Sequence, residues 1–166
     1  MGIRREARER TVQFLFQQEL NPAEDLDQAL EHFWTSQSAA ALAEDKGPAN
    51  WGEPVVLPPP TAEEISLREF ADPMIRGTIE NCAEIDLLIQ KYLQNWDFHR
   101  VAVVDRNVLR LAIYEMLYRE DIPPVVSINE AVDIAKKYST DDSGKFVNGI
   151  LDRVKSDLMR PGRVVQ

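Results

Sequence analysis

AVVDRNVLRLAIYEMLYR, residues 102–119, decides the fold. Val104, Val108, Leu109, Leu111, Ala112, Ile113, Met116 and Leu117 recur at helical spacing and together cover most of the helix circumference. A helix apolar nearly all round must be enclosed by other elements. The stretch therefore predicts the central helix of an all-α bundle. Asn95-Trp-Asp97 marks a break before it, and Pro123-Pro124 forces one after it.

Downstream, Ser127-Ile-Asn-Glu130 reads as a capping box, with Val126 and Ala131 where a hydrophobic staple would sit. That helix runs to Tyr138 and carries Lys136 and Lys137 in its last turn, where cations are favoured. A last helix starts near Asp142, buries Phe146, Val147, Ile150, Leu151, Val154 and Leu158, and stops at Pro161-Gly162. Upstream, residues 79–94 predict a helix with Ile79, Ala83, Leu87 and Leu88 inward. Thr61-Ala-Glu-Glu64 is another capping box. It opens a helix to about residue 78 with Ile65, Phe70, Met74 and Ile75 apolar, which Pro73 should kink or break. Residues 3–20 form the first helix, on Ile3, Ala7, Thr11, Phe14 and Leu15, and Asn21-Pro22 ends it. Residues 23–36 form the second, on Leu26, Leu30, Phe33 and Trp34. Residues 37–62 hold five Pro and two Gly and predict a long surface loop, of which Trp51 and the Val55–Leu57 run are suited to docking on the body. No alternating strand pattern and no internal repeat is present. The expectation is a compact bundle of about seven helices in a single domain, 1–166, with a Pro-rich loop insertion at 37–62 between the second and third helices.

The chain has 166 residues, enough to bury a core without staples. No run approaches the roughly 18 apolar residues of a spanning helix. MGIRREARER lacks the apolar stretch of a signal peptide, which predicts a cytoplasmic protein. Cys82 is alone, so no disulfide framework exists. The net charge of -9 argues at first sight against nucleic acid. That charge is uneven, however: +1 over residues 1–20, -10 over 21–96 and 0 over 97–166. A local basic site on an acidic protein is therefore compatible with the composition.

Chemistry-bearing constellations are absent. His32 and His99 lack metal-ligand spacing, and Cys82 reads as a small core residue. Asp142-Ser-Gly-Lys145 lacks the strand and glycine spacing of a phosphate loop. Glu63-Glu64 and Asp141-Asp142 lie at helix starts, where capping accounts for them. No catalytic residue, metal site or cofactor is predicted. Arg4, Arg5, Arg8 and Arg10 occupy a helix N-terminus, where the dipole disfavours cations. Either they serve a ligand, or they form a solvated face with pairs such as Glu6–Arg10.

Asp105-Arg-Asn-Val-Leu-Arg-Leu-Ala-Ile-Tyr-Glu115 is followed by Ile122-Pro123, Ile128-Asn-Glu-Ala131, Ala135-Lys-Lys137 and Asp142-Ser-Gly-Lys-Phe-Val-Asn-Gly-Ile-Leu-Asp152. With Arg4-Arg-Glu-Ala-Arg-Glu9 and Gln13-Phe-Leu-Phe16, this pattern closely resembles the NusB family of bacterial transcription antitermination factors. The resemblance is dense over 3–20 and 100–155, loose over 63–96 and absent from 37–62. It implies a helical, non-enzymatic RNA-binding protein. Such a protein pairs with ribosomal protein S10 (NusE), binds boxA-type single-stranded RNA in ribosomal RNA transcripts, joins the transcription elongation complex and helps polymerase pass terminators. Some family members self-associate through the RNA face, so a homodimer is a further partner state; no membrane is involved.

By the same resemblance, the RNA surface maps to Arg4, Arg5 and Arg8 on the first helix and to Ser143, Lys145 and Phe146 on the last. The S10 surface maps to Phe16 and Asp105. Phe146 also fits the buried stripe of its helix, and core packing is its other reading. Two departures weaken the match: Glu6 stands where Arg is frequent, and Phe16 replaces a frequent Tyr. Cations on phosphates and planar groups on bases are the usual means of holding single-stranded RNA. A bundle with its first and last helices adjacent would join the two patches. With three or four phosphate contacts at roughly 0.7 of salt slope each, weak RNA binding by the chain alone is expected. The acidic middle of the chain favours a basic ribosomal protein as partner. The alternatives are an interaction module of the transcription complex that has lost RNA binding, and a NusB-like domain of an rRNA methyltransferase, for which 166 residues leave no room.

Overall fold

Helices form over α1 (Ile3–Leu20), α2 (Leu26–Lys46), α3 (Ala62–Glu80), α4 (Cys82–Tyr92), α5 (Val103–Tyr118), α6 (Pro124–Tyr138) and α7 (Asp141–Leu158), with a 3-10 turn at Phe98–Arg100. This computed structural model describes residues 2–46, 57–93 and 97–158, without the side chains of Asp45 and Lys46. No strand occurs among the described residues. The expected break at Asn95-Trp96, the docking of Trp51, Val55 and Val56, and the stop at Pro161-Gly162 lie outside them.

The 102–119 stretch forms α5 and sits at the centre, packed on α1, α3, α4, α6 and α7. Val108, Leu109, Leu111, Ala112 and Ile113 are buried in the main core, together with Ile85, Ile89, Ile134, Val147, Ile150 and Leu151. A second cluster seats α2. Leu30, Phe33 and Trp34 meet Ala7 and Phe14 of α1 and Ala71 and Ile75 of α3. The Phe14 and Phe33 rings meet edge to face at 5.3 Å, and Trp34 Nε1 donates to Asp72 at 2.8 Å. The buried indole thus keeps a polar partner.

Four expectations are corrected. First, α2 continues to Lys46 rather than ending near residue 36. Residues 36–46 contain no Gly or Pro and include four Ala, so helix propensity carries the chain on. All the breakers of the 37–62 span lie at 47–60. Second, Pro73 neither breaks nor ends α3, which runs unbroken from Ala62 to Glu80. Pro73 and Glu69 are both exposed, so the carbonyl whose helix bond is lost faces solvent. Third, α4 begins at Cys82, and Asn81 closes α3 by donating from Nδ2 to the Gly77 carbonyl at 2.8 Å. That phase buries Ile85, Ile89 and Tyr92, whereas Leu87 is 68% exposed and Ala83 is exposed. Fourth, Ser127 is not a cap. Pro124 occupies the first position of α6, where its missing N–H is harmless, and Ser127 lies one turn inside the helix. The Thr61–Glu64 capping box does form, with both reciprocal bonds made.

Gly77 fixes how closely α3 approaches α5. A Cβ there would lie 2.2 Å from the Tyr114 ring, so only glycine lets the ring lie against the α3 backbone.

Candidate nucleic-acid interface

The site is built on α1. This helix runs antiparallel to α5: Arg8 meets Glu115 near one end, and Glu19 meets Arg106 and Arg110 near the other. It runs alongside α6 in the same direction, because Arg5 meets Glu130 and Asp133 and then Glu9 meets Lys137 and Tyr138. The residues predicted for RNA and for the partner protein are therefore distributed along one α1–α6 face and over its two ends.

Arg4 is exposed, and no described carboxylate pairs with it. Its guanidinium lies 4.9 Å from the centre of the Phe70 ring. Arg5 is half-buried and already engaged: Nε donates to Glu130 at 2.5 Å and Nη2 to Asp133 at 2.7 Å. Those bonds, with Glu130 foremost, outweigh the opposing effect of burial and raise the Arg5 pKa further. Arg8 does not reach the surface. It is 3% exposed, and its Nε and Nη2 grip Glu115 at 3.0 and 2.8 Å while Ser127 Oγ donates to the same carboxylate at 2.9 Å. Its expected role on RNA is therefore corrected to that of an internal ion pair. A carboxylate in the middle of an apolar helix was the signal for this, since a buried Glu requires a cation beside it.

Ser143 is 9% exposed and its hydroxyl donates to Asp105 Oδ2 at 2.9 Å. The predicted RNA residue and the predicted partner residue thus touch. Asp105 is 6% exposed, and burial pushes its carboxyl above the ordinary range, against the smaller lowering effect of the Ser143 bond. Its Oδ1 accepts no hydrogen bond from the described residues. Lys145 is exposed and unpaired among the described residues. Phe146 is half-buried and packs against the main core, which accounts for its place in the apolar stripe. Phe16 is half-buried one turn before Glu19, at the same end of α1 as Asp105.

Packing between the first and last helices, expected to join the two predicted RNA patches, is not extensive. The principal packing partners of α7 are α6, α5 and α4, and α6 spans the gap. From Asp133 to Tyr138 its axis rises about 8 Å. Two cations read in the sequence only as helix-end charges belong to this stretch. Lys137 donates to Glu9 at 2.9 Å. Lys136 lies across the start of α7, where a Cβ on Gly144 would come within 2.7 Å of its Cγ. Gly144 thus lets Lys136 lie against the start of α7, next in sequence to Lys145. Glu9 itself is held below the ordinary carboxylate range: burial alone would raise it, but the bonds from Lys137 and Tyr138 prevail.

A cleft of about 790 Å3 lies elsewhere, between the start of α1, α2 and α3, lined by Trp34, Ile65 and Leu67 and by Glu63, Glu64 and Asp72. Its carboxylates do not suit an anionic ligand. Among the described residues no cluster of His, Cys, Asp or Glu could hold a metal, and no helix is long and apolar enough to cross a membrane.

The profile of the NusB family matches residues 59–156. The chain belongs to the NusB family. NusB of Thermodesulfovibrio yellowstonii, a transcription antitermination protein, is 40% identical over 161 residues, covering 93% of this chain and 92% of the relative. The solved structure of Thermotoga maritima NusB superimposes with a TM-score of 0.66 at 41% identity, over 93% of this chain and 91% of that one. A crystal structure of the antitermination factors NusB and NusE in complex with double-stranded RNA also matches. It has a TM-score of 0.66 at 25% identity, over 95% of this chain and 98% of that one. The all-helical NusB architecture thus extends over α1 to α7.

Proposed function

We infer that this NusB-family chain is a transcription antitermination factor that acts by binding rather than catalysis. In the cytoplasm it would pair with NusE and hold boxA-type RNA within the elongation complex. The observation that carries the reading is the set of cations on neighbouring elements of an otherwise acidic chain: Arg4 and Arg5 at the start of α1, Lys136 and Lys137 at the end of α6, and Lys145 at the start of α7. Phosphates would be contacted by Arg4, Lys136 and Lys145, none of which is neutralised by a described carboxylate, and by Arg5 once it leaves Glu130 and Asp133. Two of these five cations, Arg5 and Lys137, are already held by carboxylates, which keeps the pull on RNA modest. NusE would seat at the other end of α1, on Phe16 and near Asp105. Because Ser143 is bonded to Asp105, the two surfaces meet there, and NusE would complete the RNA track. The match to a NusB–NusE–RNA structure supports this assignment.

The test is a titration of boxA RNA and of a scrambled RNA, with and without NusE. The expected result is weak binding by the chain alone and a selective gain for boxA with NusE. Tight NusE binding without any gain over the scrambled RNA would instead leave a protein-interaction module.

A further inference from the structure

We propose that Arg119 and Arg4, gathered on the ring of Phe70, form an additional phosphate-contacting station, which extends the RNA track from the start of α1 to the end of α5. The proposal rests on the RNA reading above and adds a residue that neither the motif nor the helix pattern singled out.

Phe70 sits half-buried on α3, where the two hydrophobic clusters meet, so its ring is fixed from below. Three guanidinium groups converge on it: Arg4 at 4.9 Å, Arg8 at 5.4 Å and Arg119 at 5.5 Å from the ring centre. The ring face attracts each cation, but the cations repel one another, so their neutralisation decides what the cluster can do. Arg8 is matched by buried Glu115. Arg119 is matched by Asp121, through Nε at 3.0 Å and Nη2 at 2.9 Å. Arg4 forms no ion pair with a described carboxylate, although its charge also acts on Asp121. The cluster is left with one positive charge in excess.

The Arg119–Asp121 pair is also the exchangeable kind. The pair is bidentate, but the Asp121 side chain is 55% exposed, so water and a phosphate can compete for its place on Arg119. Nη1 of Arg119 donates to none of the described residues, so one edge of its fork is available to a phosphate oxygen. An RNA backbone is favoured over an acidic protein segment by continuity, because Arg4 adjoins Arg5 and the cation track along α6. Asp121 would then be a placeholder, displaced when a phosphate bridges Arg4 and Arg119.

The experiment is a titration of boxA RNA into the complex with NusE, at several salt concentrations, for the unmodified chain, Arg119→Gln and Asp121→Asn. Arg119→Gln should bind roughly three- to tenfold more weakly, and its salt slope should fall by about 0.7, the share of one phosphate on a single strand. Asp121→Asn should bind more tightly, a direction that a damaged fold cannot produce. Weaker binding by Arg119→Gln without tighter binding by Asp121→Asn would mean fold damage and overturn the station. So would a loss of NusE affinity at unchanged RNA affinity, which would place the cluster in a protein interface. If the unmodified complex prefers boxA while neither variant moves, the station falls and the RNA reading stands. If the unmodified complex does not prefer boxA, the RNA reading itself falls.

Discussion

At the scale of single residues, the arginines of the first helix divide by what each one touches. Arg8 belongs to the interior, where its partner Glu115 is 1% exposed and also accepts from Ser127. Removing one member of such a pair leaves a buried charge unmatched, which costs about 3–5 kcal/mol. Arg8→Ala or Glu115→Ala should therefore lower the denaturation midpoint sharply, and any loss of RNA binding should track the loss of folded protein. Arg5 behaves differently, because its partners lie near the surface and Asp133 is 49% exposed. Asp133→Asn should free Arg5 Nη2 for RNA while Nε stays on Glu130, and strengthen binding about two- to fivefold, the scale of an exposed ion pair. Weaker binding by this variant, measured with NusE present, would contradict the assignment of Arg5. The motif located these residues in the sequence but could not sort them. Arg4, Arg5 and Arg8 are alike in composition, and only the neighbours supplied by α3, α5 and α6, more than 60 residues away, make one stacked, one clamped and one buried.

At the scale of elements, legibility followed the range of the determining forces. α1, α5 and the Thr61 cap were readable because apolar period and capping are local. The end of α2 was missed because the Pro and Gly of the 37–62 span were averaged over the window, although they begin only at Gly47. The start of α6 was misplaced because Ser127 and Glu130 have the spacing of a cap, yet each has a stronger tertiary use, on Glu115 and on Arg5. The closeness of α3 and α5 was invisible, since nothing local to Gly77 announces Tyr114. The contact makes a prediction: Gly77→Ala places a methyl group into the ring, and Tyr114, stacked on Tyr118 at 5.5 Å, must move. Overpacking of this kind costs about 1–3 kcal/mol. Thermal denaturation should show the loss while the helical circular dichroism of the native state stays unchanged. A melting temperature equal to that of the unmodified chain would mean that α3 and α5 separate more easily than the packing implies.

At the scale of the whole molecule, the charge of -9 becomes a statement about pH. Glu19 ties the end of α1 to the start of α5. Burial would raise its pKa, but the bonds from Arg106 and Arg110 prevail and hold it below the ordinary range, as the bonds from Lys137 and Tyr138 do for Glu9. A carboxylate whose folded pKa is depressed contributes stability that is complete above its unfolded pKa, about 4.3 for Glu, and is lost as pH falls through the folded value. Asp105 has the opposite sign. Its folded pKa is raised by burial, so its ionised form weakens the fold at neutral pH, and that penalty fades as pH falls through the raised value. Two substitutions should therefore separate. Glu19→Gln should lower the melting temperature at pH 7 and lower it less as pH falls, flattening the acid limb. Asp105→Asn, which keeps an acceptor for Ser143, should raise the melting temperature at pH 7 and not near pH 3, steepening that limb. Melting curves from pH 3 to pH 8 give both. Parallel shifts at all pH values would mean that neither carboxyl titrates with the fold, and the joint between α1, α5 and α7 would then be held by packing alone.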